Sequence, residues 1–551
     1  MRETKTFDRE LWDKGTRAEM DLPNEYPYIK NMQQYGGGAL GPRSGWKAFL
    51  RVTSSTPNTY AVFCAPFYYG GSPRDCIVVA STDGLDMYQV LADADPAGTL
   101  MATLVTGINS TSVWRISDTQ WLIGNYLYLF RQDSVGAKPY GITRTAMDTT
   151  IATEFGYSAF ALAGGVPFAG RAFYWGNANT TGTDPYGEER RLYYSDPYAF
   201  TTFTEGVATQ YIQIDRPIKG AFVLSGAMYI YDTGGYWWKL DLNNSGDPQD
   251  GYLRIIGQGL TPKDPLAVAL VDQTAFFFSD NGMLCAFDED GLDDQTLGHL
   301  APLRQAVTPK IGTGSDSKTN IIYLPWFDDT NSPTVGRAYV FQGGSWWYEE
   351  RQNNQGLGIY TNVVHNDMIG NEESPTTRNS IIMHATRDFV ASPYYHQIHT
   401  RTLDLDYPAT QSDTYANDVD EEYVNGTAAD TTGALGAIHL PRLHGEAHQF
   451  VRIQKVTVDC QYWKKSGTWP TATMTCTVVD ANGGSHTGVS DLVTASLADT
   501  SIVTKAPGYV RIEFTFDSDP FTHWAEVRLT GVASLAIEQV HVDFELEQRL
   551  W

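Results

Sequence analysis

At 551 residues the chain can fill two or three domains with substantial cores, and its 39 Lys+Arg against 64 Asp+Glu leave a formal charge of −25. That balance disfavours sequence-independent adhesion to nucleic acid or anionic lipid. With 32 Tyr, 24 Phe and 14 Trp for strand stacking and few helix-period segments, the composition reads as all-β. Five scattered cysteines (Cys64, Cys76, Cys285, Cys460, Cys476) without a Cys-x-x-Cys pair argue against a disulfide scaffold or zinc ribbon and predict buried thiols.

In chain order, residues 1–30 are polar, with a brief helix expected at Arg9-Glu-Leu-Trp-Asp-Lys14. No apolar run suits a Sec signal or approaches ~18 residues, which implies retention in a cytoplasm or export by another route. Asn31-Met-Gln-Gln-Tyr-Gly-Gly-Gly-Ala-Leu-Gly-Pro-Arg-Ser-Gly-Trp46 is glycine-rich and reads as an irregular loop, functional or held by a neighbour. Residues 1–46 are therefore read as an arm and loop.

Residues 47–393 carry a recurring strand-turn-strand phrase. Its plainest form is Ala275-Phe-Phe-Phe-Ser-Asp-Asn-Gly-Met-Leu-Cys-Ala-Phe287, where Asn-Gly accepts the positive φ angles of a tight hairpin. Cys76-Ile-Val-Val-Ala-Ser-Thr-Asp-Gly-Leu-Asp-Met-Tyr88 repeats it, and looser forms begin at Ala221 and Gly336. Short strands with glycine and aromatics recurring per hairpin predict a β-propeller-like domain of about six to eight blades. Residues 394–433 turn polar and acidic and read as a linker or extended arm. Strict apolar-polar alternation in 434–551, as in Phe450-Val-Arg-Ile-Gln-Lys-Val-Thr-Val-Asp-Cys460, predicts a C-terminal β-sandwich.

The order of phrases carries a resemblance. An Asn-x-Gly-x-Leu-x-x-Arg-x-Gly-like stretch falls in 31–46, with Ser44 where relatives commonly carry proline. Gly170-Arg-x-Phe-Tyr, Leu192-Tyr-Tyr-Ser-x-Pro197 and Phe276 to Gly282 follow, then the alternating C-terminal strands. Together these resemble the tail nozzle proteins (tubular tail protein B) of short-tailed phages. The resemblance implies a virion protein assembled in the host cytoplasm, a homohexameric ring beneath the portal and tail adaptor. Tail fibres and the host envelope are further partners, and genomic DNA passes through the lumen without sequence-specific binding. It implies an assembly interface at Asn31, Tyr35, Leu40, Arg43, Gly45 and Trp46, and no enzyme, cofactor or metal.

Catalytic and binding alternatives have weaker support in the residues. Ser279-Asp-Asn-Gly lacks the Thr-Trp of a sialidase box and reads as turn chemistry. Asp288-Glu-Asp-Gly-Leu-Asp-Asp294 lacks a twelve-residue calcium pattern. His439, His444 and His448 lack helical ligand spacing. Tyr236-Trp-Trp238 and Trp346-Trp-Tyr348 would serve a glycan-binding or glycan-degrading propeller as sugar platforms, but their equivalent positions favour blade packing.

Overall fold

The computed structural model is nearly all β, a propeller joined to a sandwich. Side chains are described for 2–12, 27–34, 38–43, 162–176, 188–198, 202–206, 209–242, 246–263, 273–292, 339–340, 345–350, 436–445, 449–461, 474–489, 509–516, 521–532, 535–548 and a few single residues. For the remaining strands the description is of backbone pairing.

Among the described strands, seven antiparallel meanders of four or five strands succeed one another. Blade 1 runs from Thr59–Tyr69 to Thr99–Thr106, blade 2 from Trp114–Arg115 to Ala152–Glu154 and blade 3 from Gly164–Phe168 to Tyr211–Gln213. Blade 4 runs from Ile218–Leu224 to Tyr252–Gln258, blade 5 from Val268–Val271 to Gly291–Asp293 and blade 6 from Lys310–Ile311 to Ser345–Gln352. Blade 7 takes three strands from Gly358–Val364, Ile381–Arg387 and Tyr394–Thr402, and its fourth is Lys47–Ser54, which precedes blade 1. Gly358–Val364 of blade 7 also abuts Thr59–Tyr69 of blade 1, so the ring closes on itself. Closure buries the two end faces that an open row of sheets would expose and leaves only the short edges of the individual blades.

The hairpin corners use two geometries. Ala169-Gly170 and Ser225-Gly226 have φ of 47° and 73°, and 48° and 78°, the two-residue turn with both central residues left-handed. At Ser279-Asp-Asn-Gly282 only Gly282 is left-handed, at φ 79°. Gly282 N donates to Ser279 O and Ser279 N to Met283 O, each at 2.8 Å, which makes a three-residue loop. The Asn-Gly expectation thus holds for the glycine alone. The buried Ser279 hydroxyl accepts from Met283 N at 3.1 Å, as turn chemistry requires. Asp232 and Asp480 cap their own hairpins in the same way, with Oδ1 accepting from Gly234 N and Tyr236 N, and from Asn482 N and Gly484 N. Asp288 Oδ1 accepts from Asp290 N at 2.8 Å, so this carboxylate closes an acidic hairpin.

The aromatic pairs are packing residues. Trp237 and Trp238 are buried; Trp237 stacks on Phe287 at 4.4 Å between blades 4 and 5, and Trp346 meets Phe276 edge-on between blades 5 and 6. Burial removes the sugar-platform reading for these tryptophans.

Two boundaries differ from the sequence reading. Residues 394–402, expected as linker, form a blade strand, because the acidic composition starts only beyond them; Val419–Val424 and Thr427–Gly433 then pair as a hairpin across the sequence Asn425-Gly426. The segment expected as an arm belongs to the sandwich. Arg2–Phe7 pairs with Ala536–Gln548 in register from Arg2↔Glu545 to Phe7↔Val540, and Phe7, Leu11, Trp12, Ile29, Met32 and Leu40 enter the sandwich core. Its polarity misled because Arg2–Phe7 is a sheet-edge strand whose first five residues stay at least partly exposed, with a partner far away in sequence. The propeller is therefore an insertion within a sandwich built from segments before residue 44 and after residue 433.

One sandwich sheet contains Met32–Gln34, Leu40–Pro42, Ala536–Gln548, Gln449–Tyr462 and Gly508–Thr515. The other contains Gly436–His439, Trp524–Ala533 and Thr473–Asp480 and continues without a break through Tyr28–Lys30 into Ser345–Gln352 of blade 6. Cys460 and Cys476 lie in the core between these sheets as free thiols, and burial pushes both well above the ordinary thiol range. Cys285 is a third buried free thiol; on blade 1, Cys76 pairs with Ala65 and Cys64 with Ile77.

Candidate functional site

The residues singled out at 31–46 meet where propeller and sandwich join. Tyr28–Lys30 lies in the sheet shared with blade 6, and Met32–Gln34 lies in the opposite sandwich sheet. Asn31 is the step between them, with φ 54°, a left-handed conformation that asparagine tolerates better than most residues. Its backbone N–H donates to Tyr348 O at 2.9 Å, and its O accepts from Arg43 N at 3.0 Å. Its side-chain Oδ1 accepts from Glu350 N at 2.8 Å and from Arg43 Nε at 3.4 Å. One asparagine thus ties blade 6 to the returning strand Leu40–Pro42.

Arg43 is fully buried. Its Nη2 donates to Glu350 O at 3.4 Å and its Nε lies 3.7 Å from Oε2 of the buried Glu349. A buried guanidinium is tolerated only when paired and hydrogen-bonded, and both conditions are met. Around it, Lys30 Nζ pairs with Glu350 Oε2 at 3.1 Å, Tyr348 OH donates to Glu350 Oε1 at 2.5 Å, and the Tyr28 ring lies 4.8 Å from that of His439. Asn31, Leu40 and Arg43 all face their own chain's interior, so these three side chains fasten the segment internally and present no outer interface. Tyr35, Gly45 and Trp46 lie outside the described residues.

Sequence reasoning missed Glu349 and Glu350. A signal existed in Ser345-Trp-Trp-Tyr-Glu-Glu350: alternation places Glu349 on the face of Trp347, and Trp347 packs into the sandwich core. An acid sharing a face with a core tryptophan calls for a buried cation.

The histidine group does not assemble. His439 Nδ1 lies 3.9 Å from the buried Glu526, which also takes Arg528 at 2.6 Å and Arg442 at 3.5 Å; His444 is on the surface, its pKa lowered by partial burial and by nearby Arg442 and Lys5. His448 lies outside the described residues. Among those residues no group of three or more His, Cys, Asp and Glu is arranged to hold a metal ion.

The Gly170 to Pro197 phrase also becomes a physical unit. Gly170 makes the left-handed turn, Ala172 N donates to the buried Ser195 Oγ at 2.9 Å, Arg171 Nη1 donates to Ser195 O at 2.8 Å, and Tyr198 N returns to Gly170 O at 2.7 Å. The serine and arginine thereby lock blade 3's second and third strands.

No family model and no curated protein sequence matches the chain. Among solved structures, BBS1N in complex with ARL6DN aligns with TM-score 0.37 and 11% identity over 66% of this chain and 100% of that one. The computationally designed Ika8 protein aligns with TM-score 0.35 and 10% identity over 64% and 99%. The N-terminal domain of Nup159 gives TM-score 0.27 and 9% identity over 74% and 95%. The blade assignment rests on strand order and ring closure, which the chain displays by itself.

Proposed function

We propose that the protein is a structural tail nozzle subunit of a short-tailed phage, which assembles as a ring and encloses the channel through which the genome leaves. The observation that carries this reading is the ordered set of family-like phrases, each of which coincides with a fold-determining contact. Asn31 and Arg43 knit propeller to sandwich, Gly170 and Ser195 lock blade 3, and Ser279 to Gly282 close a corner of blade 5. The charge of −25 suits a wall that DNA must pass without sticking, since carboxylates repel phosphates across about 8 Å at physiological salt. In this role the chain needs no catalytic residue or cofactor. It meets the tail adaptor and portal above, tail fibres beside it and the host envelope below.

Negative-stain microscopy and mass measurement, on the chain alone and mixed with the portal and adaptor proteins encoded beside it, test the proposal. A six-fold ring, alone or with the adaptor, is the expected result. A monomer indifferent to both proteins would overturn it.

A further inference from the structure

The outer face of one sandwich sheet carries a cleft of about 670 Å³, within the usual range for small-molecule sites. Its floor is laid by alternation along Gly508–Thr515: Ile512 and Phe514 point into the core, while Tyr509 and Arg511 are exposed on the opposite face. They stand two residues apart, roughly 7 Å along the strand. The helical turn Arg9–Trp12 and the Gly38-Ala39 backbone supply the wall.

The polar groups in the cleft are held in place by one another. Arg511 Nε and Nη2 clasp Asp459 Oδ1 and Oδ2 at 2.6 and 2.7 Å, a bidentate fork that fixes both planes. His541 Nε2 supports the same carboxylate at 3.2 Å, and Gln461 Nε2 donates to Glu538 Oε1 in the next row. The fork keeps Asp459 ionised, its pKa lowered by the Arg511 hydrogen bonds, so it accepts hydrogen bonds from hydroxyls and donates none. Arg511 retains Nη1 for a further acceptor.

Tyr509 decides the ligand class. It is 65% exposed, and of the large exposed hydrophobics among the described residues it is the one that lines this cleft. An open aromatic face beside rigid planar donors and acceptors matches a sugar ring, which offers an apolar C–H face and a rim of hydroxyls. Asp8, Glu10, Asp459 and Glu538 outnumber Arg9 and Arg511, and this excess of negative charge disfavours uronates and sialylated chains. We infer that the cleft binds a neutral oligosaccharide, with one ring on Tyr509 and hydroxyls bonded to Arg511 and Asp459. This inference stands independently of ring assembly.

The test uses the whole chain against an array of neutral and acidic bacterial surface glycans, followed by saturation-transfer NMR titration of the best binder, with spermidine as a cationic control. Binding to neutral glycans is expected, weakened about two- to tenfold by Tyr509→Ala, a loss on the scale of one aromatic contact. Arg511→Lys, which cannot form the fork, should weaken it comparably. Unchanged thermal midpoints in both variants show that folding is intact. Binding to no neutral glycan, preference for acidic glycans or spermidine, or an affinity indifferent to Tyr509→Ala would each overturn the inference.

Discussion

The interface between blades 4 and 5 and the junction between propeller and sandwich are both buried, yet they are made of opposite materials. Between the blades, Phe222, Tyr229, Trp237, Phe277 and Phe287 form one aromatic cluster, with Trp237 and Phe287 stacked at 4.4 Å and Tyr229 edge-on to Phe287 at 5.0 Å. At the junction, Asn31, Arg43, Glu349 and Glu350 form a polar network inside the protein. Aromatic packing needs shape and little direction, so neighbouring blades adhere through any well-fitted rings. The buried network works in one register only, because each displaced partner leaves a desolvated charge. The first kind of contact supplies cohesion, and the second fixes which strand of the propeller the sandwich grips.

The sharpest way to break this comparison is to remove one member from each side and then attempt a conservative rescue. Arg43→Ala takes the guanidinium out of a buried charge network and should destabilise by about 3–5 kcal/mol, and Trp237→Ala should cost about as much through its cavity. Urea unfolding followed by tryptophan fluorescence measures both. Trp237→Phe should recover most of its loss, whereas Arg43→Lys should recover little, because lysine cannot reproduce the guanidinium's directions. Equal rescue at the two sites would erase the distinction.

A smaller effect separates backbone from side chain at the sheet-to-sheet step. Asn31→Ala should cost about 2 kcal/mol, combining left-handed strain with lost buried hydrogen bonds. Asn31→Gly, which keeps the φ of 54° at ease, should cost about 1 kcal/mol less. The same unfolding assay ranks them, and equal losses would show that conformation contributes nothing there.

The smallest effect is in acid. Asp480 is held below the usual carboxylate range by His486, 3.1 Å away, and by the N–H groups of Gly484 and Asn482. Its folded pKa lies below the ordinary ~3.9, so its contribution is present above that value and is lost as pH falls through the folded pKa. Asp480→Asn should flatten the acid limb of the stability profile below about pH 4. An unchanged acid limb would remove Asp480 from that account.

The two regions also differ in how much could be read beforehand. Ala275 to Phe287 announced its hairpin because the strands, the corner and their packing partners fall within a short window. Alternation through 450–460 and 509–516 announced the sandwich in the same way. Two things were hidden. Lys47–Ser54 completes blade 7 with a partner more than three hundred residues away, so blade number was a topological fact and local pattern bounded it only between six and eight. Arg43 reads as a loop arginine until Ser345–Gln352 is laid beside it, since nothing within 31–46 encodes the glutamates it faces. The cleft was hidden similarly, because Tyr509 belongs to an ordinary alternating strand until Arg9 and Gly38 are folded over it.

Arg2 and Glu545 stand 543 positions apart and pair directly. On a ribosome adding about 5–20 residues per second, Arg2–Phe7 would wait roughly half a minute to two minutes for its partner strand. Every blade is synthesised within that interval. A chain interrupted anywhere before Ala536 leaves Arg2–Phe7 and Leu40–Pro42 without their shared neighbour and the core residues Trp12 and Met32 uncovered. The insertion topology therefore acts as an order check, in which Ala536–Gln548 seals Arg2–Phe7 only after the whole propeller between them has been made.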